Sequence, residues 1–221
     1  MKALVIGGGI GGLSAAVALK NAGIHCEVFE AVKEIKPVGA AISIWPNGVK
    51  CMKHLGMGDI IENYGGPMHF LAYKEYLRGE TLTQFSLAPL IARTGGRPCP
   101  VSRAELQREM LKFWGREAVQ FGKRVTRCEE NADGVRVWFT DGSMAEGDFL
   151  IAADGSHSAL RPYVLGYTPE RRYAGYVNWN GLVDIDEAIA PGNQWTTFVG
   201  EGKRVSLMPV AGGRFYFFFD V

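Results

Sequence analysis

The sequence has 221 residues, of which 47% are hydrophobic and 21% are charged, and its formal net charge at pH 7 is +1. This balance is typical of a globular protein with a sizeable core, and because Lys and Arg are dispersed it favours neither a nucleic-acid partner nor a membrane partner. The four cysteines and four histidines lack metal-ligand spacing, so we expect reduced thiols in a cytoplasmic protein and no metal site.

The first predicted element is a strand that leads into a glycine-rich turn. Residues 3–6 are apolar without alternation, which is typical of a buried parallel strand, and residues 13–20 predict a helix. Between them, Gly7, Gly9 and Gly12 form the pattern G-x-G-x-x-G. The first glycine permits a tight turn, the second lets the backbone approach a pyrophosphate, and the third lets helix and strand pack closely. A phosphate can then bind the free N–H groups at the helix start.

A second strand is predicted over residues 25–30, and it ends in a carboxylate. Glu30 follows the glycine turn at the spacing typical of dinucleotide-binding βαβ units, where such an acid accepts hydrogen bonds from a ribose diol. A glycine-rich turn without a ligand is the alternative. The order of strand, helix, strand and acid favours dinucleotide binding, without choosing between NAD and FAD.

Three further elements are predicted before residue 100. Residues 39–44 form a small-residue strand or an extended loop, where the backbone could run close to a bound planar ring. Pro46 opens a helix. Residues 70–76 and 81–85 form a β-hairpin inserted into the α/β pattern.

A capping box predicts the next helix. Ser102 and Glu105 have the spacing at which each side chain can bond the backbone N–H of the other residue. Arg103 lies in the first helical turn, where a cation opposes the helix dipole, so local structure does not explain it. It is either a solvated arginine or one that reaches a phosphate or ribose. Three residues of this helix are expected to face the core: Leu106, Met110 and Phe113.

A second glycine turn follows a later strand. Residues 149–153 form a buried-type strand, and Asp154, Ser158 and Arg161 follow it in the pattern D-G-x-x-S-x-x-R. One interpretation is a turn capped by Asp or Ser with an exposed arginine. The other places this turn at the carboxyl edge of the first sheet, where ligands of open α/β folds bind. Three further strands are predicted before this one, at residues 119–121, 123–127 and 135–139.

These motifs together resemble the class A flavoprotein monooxygenases, the single-component FAD hydroxylases of the para-hydroxybenzoate hydroxylase type. Within that family the sequence is most similar to the FAD-dependent urate hydroxylases. The resemblance covers essentially the whole chain, and Asp154-Gly155 is its most specific part. The residues that carry it are Gly7 to Gly12, Glu30, Ser102-Arg103 and Ala153 to Arg161.

The resemblance implies an α/β fold with two domains. Residues 1–168 would form a Rossmann-like FAD-binding domain with inserted β-hairpins. Residues 169–221 would form the first part of a β-sheet substrate domain of α+β type. The third fingerprint of the family, a Gly-Asp-Ala/Ser stretch near the flavin ribityl chain, is absent from these 221 residues. We therefore expect that the chain lacks the C-terminal part of the protein.

The resemblance also implies the residues that contact the cofactor. Gly11 and neighbouring N–H groups would hold the FAD pyrophosphate, and Glu30 with Ala31 would hold the adenosine ribose. Val125 would lie beside the adenine through its backbone. Asp154 and Arg161 would support a groove used by both FAD and NAD(P)H. The expected FAD contacts are thus Gly7, Gly9, Gly11, Gly12, Glu30, Ala31, Ser43, Arg103, Val125 and Asp154.

In this family the last segment builds the sheet that covers the flavin ring. Asn178 could pair with a heterocyclic amide, and Arg204 has donors suited to an anionic, oxygen-rich ring. Tyr216 could orient that ring or share a proton with it. Each of the three could instead be a surface residue or a satisfied sheet residue. The predicted strands are residues 173–182, 195–199, 204–209 and 214–221.

The function implied by the resemblance is FAD-dependent hydroxylation of a small electron-rich aromatic compound. Urate is the favoured substrate, converted to 5-hydroxyisourate with O₂ and with NADH or NADPH as electron donor. Arg204 and Tyr216 would be the catalytic residues, and Asn178 would bind substrate with Arg204. The alternatives are an FAD reductase or dehydrogenase without oxygen insertion, and a non-enzymatic dinucleotide-binding sensor. The residues favour neither nicotinamide cofactor and no oligomeric state.

Overall fold

A computed structural model describes residues 1–36 and 40–221 and divides the chain into two compact units. The first unit comprises Met1–Lys36 and Gln107–Arg172, and the second comprises Pro37–Leu106 and Tyr173–Val221. None of the helices in the described ranges is long and apolar enough to cross a membrane.

The elements alternate between strands and helices in the first part of the chain and become mostly strands later. The helices are α1 (Ile10–Asn21), α2 (Pro46–His54), α3 (Gly58–Tyr64), α4 (Ala88–Thr94), α5 (Arg103–Trp114) and α6 (Arg161–Leu165), with a 3₁₀ turn at Arg116–Ala118. The strands are β1 (Lys2–Ile6), β2 (His25–Glu30), β3 (Ala41–Ile44), β4 (Phe70–Glu75), β5 (Thr81–Ser86), β6 (Cys99–Ser102), β7 (Val119–Phe121), β8 (Val125–Asn131), β9 (Gly134–Phe139), β10 (Met144–Gly147), β11 (Phe149–Ala152), β12 (Asn178–Asp184), β13 (Gln194–Gly200), β14 (Lys203–Val210) and β15 (Arg214–Asp220).

A parallel sheet with the order β11-β1-β2-β7 forms the centre of the first unit. Four consecutive residues of β1, from Ala3 to Ile6, are buried, as expected of a parallel strand covered on both faces. In the register, Ile6 lies opposite both Phe29 of β2 and Ala152 of β11. The carboxyl ends of these three strands therefore meet at one edge, which is where the glycine turn begins.

An antiparallel sheet, β10-β9-β8, packs against the same unit. Its apolar side chains share a core with β1 and β2, and the Phe29 and Phe139 rings lie 4.8 Å apart. Burying such side chains stabilises a fold by about 1.5–3 kcal/mol each. The buried cluster consists of Leu4, Ile6, Phe29, Val125, Val135, Val137, Phe139, Ala145 and Leu160.

A six-stranded sheet forms the second unit, in the order β12-β15-β14-β13-β4-β5. All its pairs are antiparallel except β13 with β4. The aromatic strand β15 lies between two neighbours, so its backbone groups are paired on both sides and its rings are partly buried. Strands β3 and β6 form a separate two-stranded sheet in the same unit.

The predicted fold class, an α/β unit with a parallel sheet followed by a β-sheet unit, is confirmed. The structural division differs from the predicted boundary between residues 168 and 169. Residues 40–106 group with the C-terminal strands because β4 pairs with β13, and the hairpin of β4 and β5 forms an edge of that sheet. Phe113 was expected in the core but is 49% exposed, whereas Leu106 and Met110 are buried.

Candidate functional site

The glycine turn after β1 has no room for side chains at two of its positions. Gly7 has a φ of +115°, and a Cβ placed there would lie 2.3 Å from the carbonyl oxygen of Ala153. A Cβ on Gly12 would lie 1.8 Å from the carbonyl oxygen of Gly7. By contrast, a Cβ on Gly9 or Gly11 would meet no heavy atom within 4 Å. These two glycines therefore face open space, which leaves the backbone accessible to a ligand.

The start of α1 offers unpaired backbone donors beside this space. Gly9 is the N-cap, no side chain caps the helix, and the first turn contains no acidic residue. Leu13 donates its N–H to the carbonyl oxygen of Gly9 at 2.9 Å, so the preceding amides of the turn have no intrahelical partner. The positive end of the helix dipole adds to their attraction for an anion.

Glu30 lies at the glycine turn, at the end of β2. Its Oε2 accepts the N–H of Gly8 at 2.7 Å, and its Oε1 accepts the N–H of Val32 at 3.0 Å. A carboxylate has about four acceptor positions, so both oxygens keep capacity for ribose hydroxyls. Ala31 follows it directly and is partly exposed. Contact of either residue with a ribose stays a prediction.

Asp154 lies on the other side of the same turn, after β11. A Cβ on Gly7 would lie 3.2 Å from the backbone nitrogen of Asp154, so the two turns are in contact. Oδ2 of Asp154 accepts the N–H of Ala159 at 2.7 Å, whereas Oδ1 is buried with no hydrogen-bond partner in the described part of the chain. A buried acceptor without a partner costs about 1–3 kcal/mol. It therefore points to a ligand that supplies a donor.

Two other predicted site residues of this unit, Arg161 and Val125, are held by neighbouring residues. Arg161 donates from Nη2 to the carbonyl oxygen of Gly155 at 3.2 Å, which ties it to its own turn. The side chain of Val125 is buried in the core, so only its backbone can face a nucleotide. Lys123, two residues earlier, donates its N–H to the carbonyl oxygen of Glu30 at 2.8 Å. Val125 therefore follows a segment that is hydrogen-bonded to the end of β2.

The second unit contains the predicted cofactor contacts Ser43 and Arg103. The Oγ of Ser43, in β3, is buried and has no hydrogen-bond partner among the residues that the structure describes. Arg103 is exposed at the start of α5, and its N–H donates to the carbonyl oxygen of Ala40 at 3.2 Å.

The capping box at this helix is only half formed. Glu105 donates its N–H to the Oγ of Ser102 at 3.4 Å, as expected. Its carboxylate, however, accepts from Nη2 of Arg214, with both oxygens at 3.0 Å. A charge-assisted bond is stronger than one to a neutral amide, which explains this preference.

The three predicted substrate residues lie on one face of three adjacent strands. Asn178 of β12 and Arg204 of β14 both lie opposite Asp220 of β15 in the register. Tyr216 and Asp220 are separated by an even number of residues along β15, so their side chains point to the same face. The pairing order of the strands therefore places Asn178, Arg204 and Tyr216 on one face of the sheet, although they are far apart in the sequence.

Asp220 connects two of these residues. Its Oδ1 accepts from Nδ2 of Asn178 at 2.7 Å, and its Oδ2 accepts from Nε of Arg204 at 2.9 Å and from Nη2 of the same guanidinium. The guanidinium carbon of Arg204 also lies 5.3 Å from the centre of the Phe218 ring. Sequence reasoning did not single out Asp220, although its alternation with Tyr216 in β15 was a signal that could have identified it.

The electrostatics of this face keep one acid charged and one phenol neutral. The hydrogen bond from Asn178, followed by the interactions with Arg204, lowers the pKa of Asp220. Burial raises the pKa of Tyr216, and the charge of Asp220 raises it further. At neutral pH the face thus presents a carboxylate, a guanidinium and a phenol that can donate a proton in a hydrogen bond.

One end of this face is apolar and covered. Tyr216 and Phe218, whose rings lie 5.4 Å apart, pack against a buried cluster with Trp195 at its side. The opposite end, with Asn178 and Arg204, is exposed. The buried cluster consists of Met68, Leu87 and Met208. A flat ring with polar edges matches this change from apolar to polar surface.

Comparisons with known proteins identify the family of the chain. The family model described as FAD binding domain matches residues 1–220. Over its whole length the chain is 93% identical to the FAD-dependent urate hydroxylase of Klebsiella oxytoca, and it covers 58% of that protein. The FAD-dependent urate hydroxylase of Mycolicibacterium vanbaalenii is 49% identical over 100% of the chain, which covers 56% of that relative.

The solved structures include a near-identical fold. Klebsiella pneumoniae HpxO complexed with FAD and uric acid matches with a TM-score of 0.97 and 80% identity, over 100% of this chain and 56% of that chain. The chain therefore spans a little more than half the length of the relatives that it matches.

Proposed function

Since the chain belongs to the FAD binding domain family, we propose that its residues serve an FAD-dependent monooxygenase that hydroxylates urate to 5-hydroxyisourate, using O₂ and NADH or NADPH. The relatives named FAD-dependent urate hydroxylase support this substrate, because one of them is 93% identical over the whole chain. The four cysteines are all free, which supports a location in the cytoplasm.

FAD is the cofactor of this family, and the residues of the first unit fit it. The open space at Gly9 and Gly11 leaves room for a pyrophosphate at the uncapped start of α1. Glu30 would accept the ribose hydroxyls, and the unpaired Oδ1 of Asp154 would accept a hydrogen bond from the bound group. When bound, FAD supplies electron transfer from NAD(P)H and the activation of O₂.

Arg204 would bind the substrate as an anion. A guanidinium has five N–H donors, and Asp220 accepts from Nε and from Nη2, which leaves donors on the opposite edge. No further hydrogen-bond or ion-pair partner of the Arg204 guanidinium occurs in residues 1–36 and 40–221. The negative charge of the urate anion is delocalised over several oxygens. Arg204 would attract this anion and stabilise it, and the anion is the electron-rich form that accepts an oxygen atom.

Asn178 and Tyr216 would orient the ring. Asn178 keeps one amide hydrogen and part of its carbonyl oxygen for the N–H and C=O edges of a purine. Tyr216 stays protonated at neutral pH because its pKa is raised, so its hydroxyl is available to donate to a ring oxygen or nitrogen. The apolar cluster beside Tyr216 would exclude water from that end of the ring.

The observation that carries the proposal is the presence of Asn178, Arg204 and Tyr216 on one sheet face in a chain with relatives of this activity. The test is a substrate panel of urate and hydroxybenzoates, with full-length flavin-loaded protein, NADH and ¹⁸O₂. We expect urate to stimulate NADH oxidation and the product to contain one ¹⁸O atom.

The same experiment separates the two alternative functions. Urate-stimulated NADH oxidation with no ¹⁸O in any product would instead indicate a reductase or dehydrogenase. No NADH oxidation with any compound of the panel would indicate a binding protein without redox activity.

A further inference from the structure

Asp220 is the only group that joins the two polar residues of the substrate face within the described residues. It is the last residue of β15, and the register places it opposite Asn178 on one side and Arg204 on the other. Its side chain is 18% exposed, and each carboxylate oxygen bonds a different neighbour. One side chain thus fixes groups on two other strands.

The contact with Arg204 fixes the direction of the guanidinium. Arg204 is 50% exposed, and an exposed arginine without a partner samples many rotamers. Here Nε and Nη2 both donate to Oδ2 of Asp220, and the guanidinium lies over the ring of Phe218. The plane and one edge of the group are therefore fixed before a ligand arrives, which leaves the opposite edge to bind an anion.

The contact with Asn178 fixes which way its amide points. An ionised carboxylate only accepts hydrogen bonds, so Asn178 must present its NH₂ group to Oδ1 of Asp220. The carbonyl oxygen of Asn178 then accepts from Nδ2 of Asn180 at 2.9 Å. The charge of Asp220 thereby determines the donor and acceptor pattern that Asn178 shows to a ligand.

We propose that Asp220 is a positioning residue for substrate binding, which holds the Arg204 guanidinium and the Asn178 amide in the orientation that receives the anionic ring. This inference rests on the proposed function. Asp220 acts through its two neighbours and has no role of its own in the chemistry. Preorganised binding groups lower the cost of association, so the loss of Asp220 should weaken substrate binding more than it slows turnover.

The test is a double-mutant cycle in the full-length flavin-loaded protein. The variants are Asp220→Asn, Arg204→Gln and the double variant, with Asp184→Asn as the matched control, because Asp184 is an exposed carboxylate at the far end of β12. Asp220→Asn keeps the size of the side chain, but its NH₂ group then faces either the Asn178 amide or the Arg204 guanidinium, both of which are donors. We expect its KM for urate to rise about tenfold with kcat changed less than about threefold.

The double variant shows whether Asp220 acts through Arg204. If it does, Arg204→Gln with Asp220→Asn should bind urate with nearly the same Kd as Arg204→Gln alone, measured from the change in flavin absorbance so that the comparison does not require turnover. A KM for Asp220→Asn equal to that of wild type and Asp184→Asn would overturn the assignment. So would effects that multiply in the double variant, because Asp220 would then act independently of Arg204.

A second measurement does not depend on activity towards urate. The Nε–H of Arg204 should give a protected side-chain NMR signal in wild type and in Asp184→Asn, and this signal should be lost in Asp220→Asn. An unchanged signal in Asp220→Asn would overturn the positioning role. Failure of the wild-type protein to oxidise NADH with urate would reject only the proposed function, and the NMR signal would still decide the role of Asp220.

Discussion

The carbonyl oxygen of Gly7 would lie 1.8 Å from a Cβ placed on Gly12, so the turn that joins β1 to α1 closes only when residue 12 has no side chain. Gly11, one residue earlier, has no such neighbour. Adjacent glycines of one motif therefore have different physical roles. Gly12 permits the fold, and Gly11 leaves open space beside the start of α1.

Alanine at these two positions should separate stability from flavin binding. We expect Gly12→Ala to destabilise the protein by about 2–4 kcal/mol, because a backbone overlap must be relieved. Gly11→Ala should leave the free energy of unfolding within about 1 kcal/mol of wild type, since its Cβ faces open space, but should weaken FAD binding. Urea unfolding of the apoprotein and FAD fluorescence quenching measure the two effects. Equal stability of both variants would contradict the assigned roles.

Replacement of Asp154 should weaken FAD binding without unfolding the turn. In Asp154→Asn the side-chain carbonyl can still accept from the N–H of Ala159, whereas the position of the unpaired Oδ1 becomes a donor. We expect FAD affinity to fall about tenfold or more and the stability of the apoprotein to change by less than about 1 kcal/mol. The control is Asp148→Asn, at an exposed carboxylate before β11. Unchanged FAD affinity in Asp154→Asn would show that Oδ1 has no ligand.

Arg204→Gln should uncouple NADH oxidation from hydroxylation or abolish turnover. Glutamine keeps a donor but loses the charge and the fork that bind an anion. We expect a rise in urate KM of at least about tenfold and release of H₂O₂ in place of hydroxylated product. Parallel assays of NADH, product and H₂O₂ measure the coupling. Normal coupled hydroxylation would reject Arg204 as a substrate residue.

The raised pKa of Tyr216 gives a prediction at alkaline pH. The folded state binds the phenol proton more tightly than the unfolded state, so this contribution to stability is complete below the unfolded pKa of about 10 and is lost as pH rises through the higher folded pKa. Wild type should therefore lose more stability than Tyr216→Phe between pH 8 and pH 11. Urea unfolding across that range measures the difference, and parallel curves for the two proteins would contradict it.

Local sequence signals predicted the first elements of the first unit well. Strand β2 matches its predicted limits, and β1 and α1 differ from theirs by three residues or fewer. The agreement is good because an apolar run and three glycines determine the turn between β1 and α1 through short-range sterics. Phe113 was placed wrongly, since helical periodicity states which residues share a face but not where the neighbouring layer ends.

The arrangement of the second unit depends on long-range strand pairing, which the periodicity of the sequence does not show. Asn178, Arg204 and Tyr216 were identified by resemblance, but their common face follows from the order β12-β15-β14. The same lack of pairing information concealed Asp220 and the pairing of β4 with β13, which moves residues 40–106 into the second unit. The roles of the individual site residues remain predictions.

The ion pair between Glu105 and Arg214 should stabilise the second unit, although the sequence predicted a cap at Glu105. Both carboxylate oxygens lie 3.0 Å from Nη2 of Arg214, and the two side chains are only 22% and 27% exposed. We expect Glu105→Gln to destabilise the protein by about 1–2 kcal/mol, because a half-buried guanidinium loses its counterion.

The control is Glu80→Gln. Glu80 forms an exposed ion pair with Arg78 at an N···O distance of 3.9 Å, and exposed pairs contribute about 0–1 kcal/mol. Thermal unfolding in low and high salt distinguishes the two pairs, because salt screens the exposed pair more strongly. Equal, small effects of both substitutions would show that Glu105 acts only through its backbone bond to Ser102.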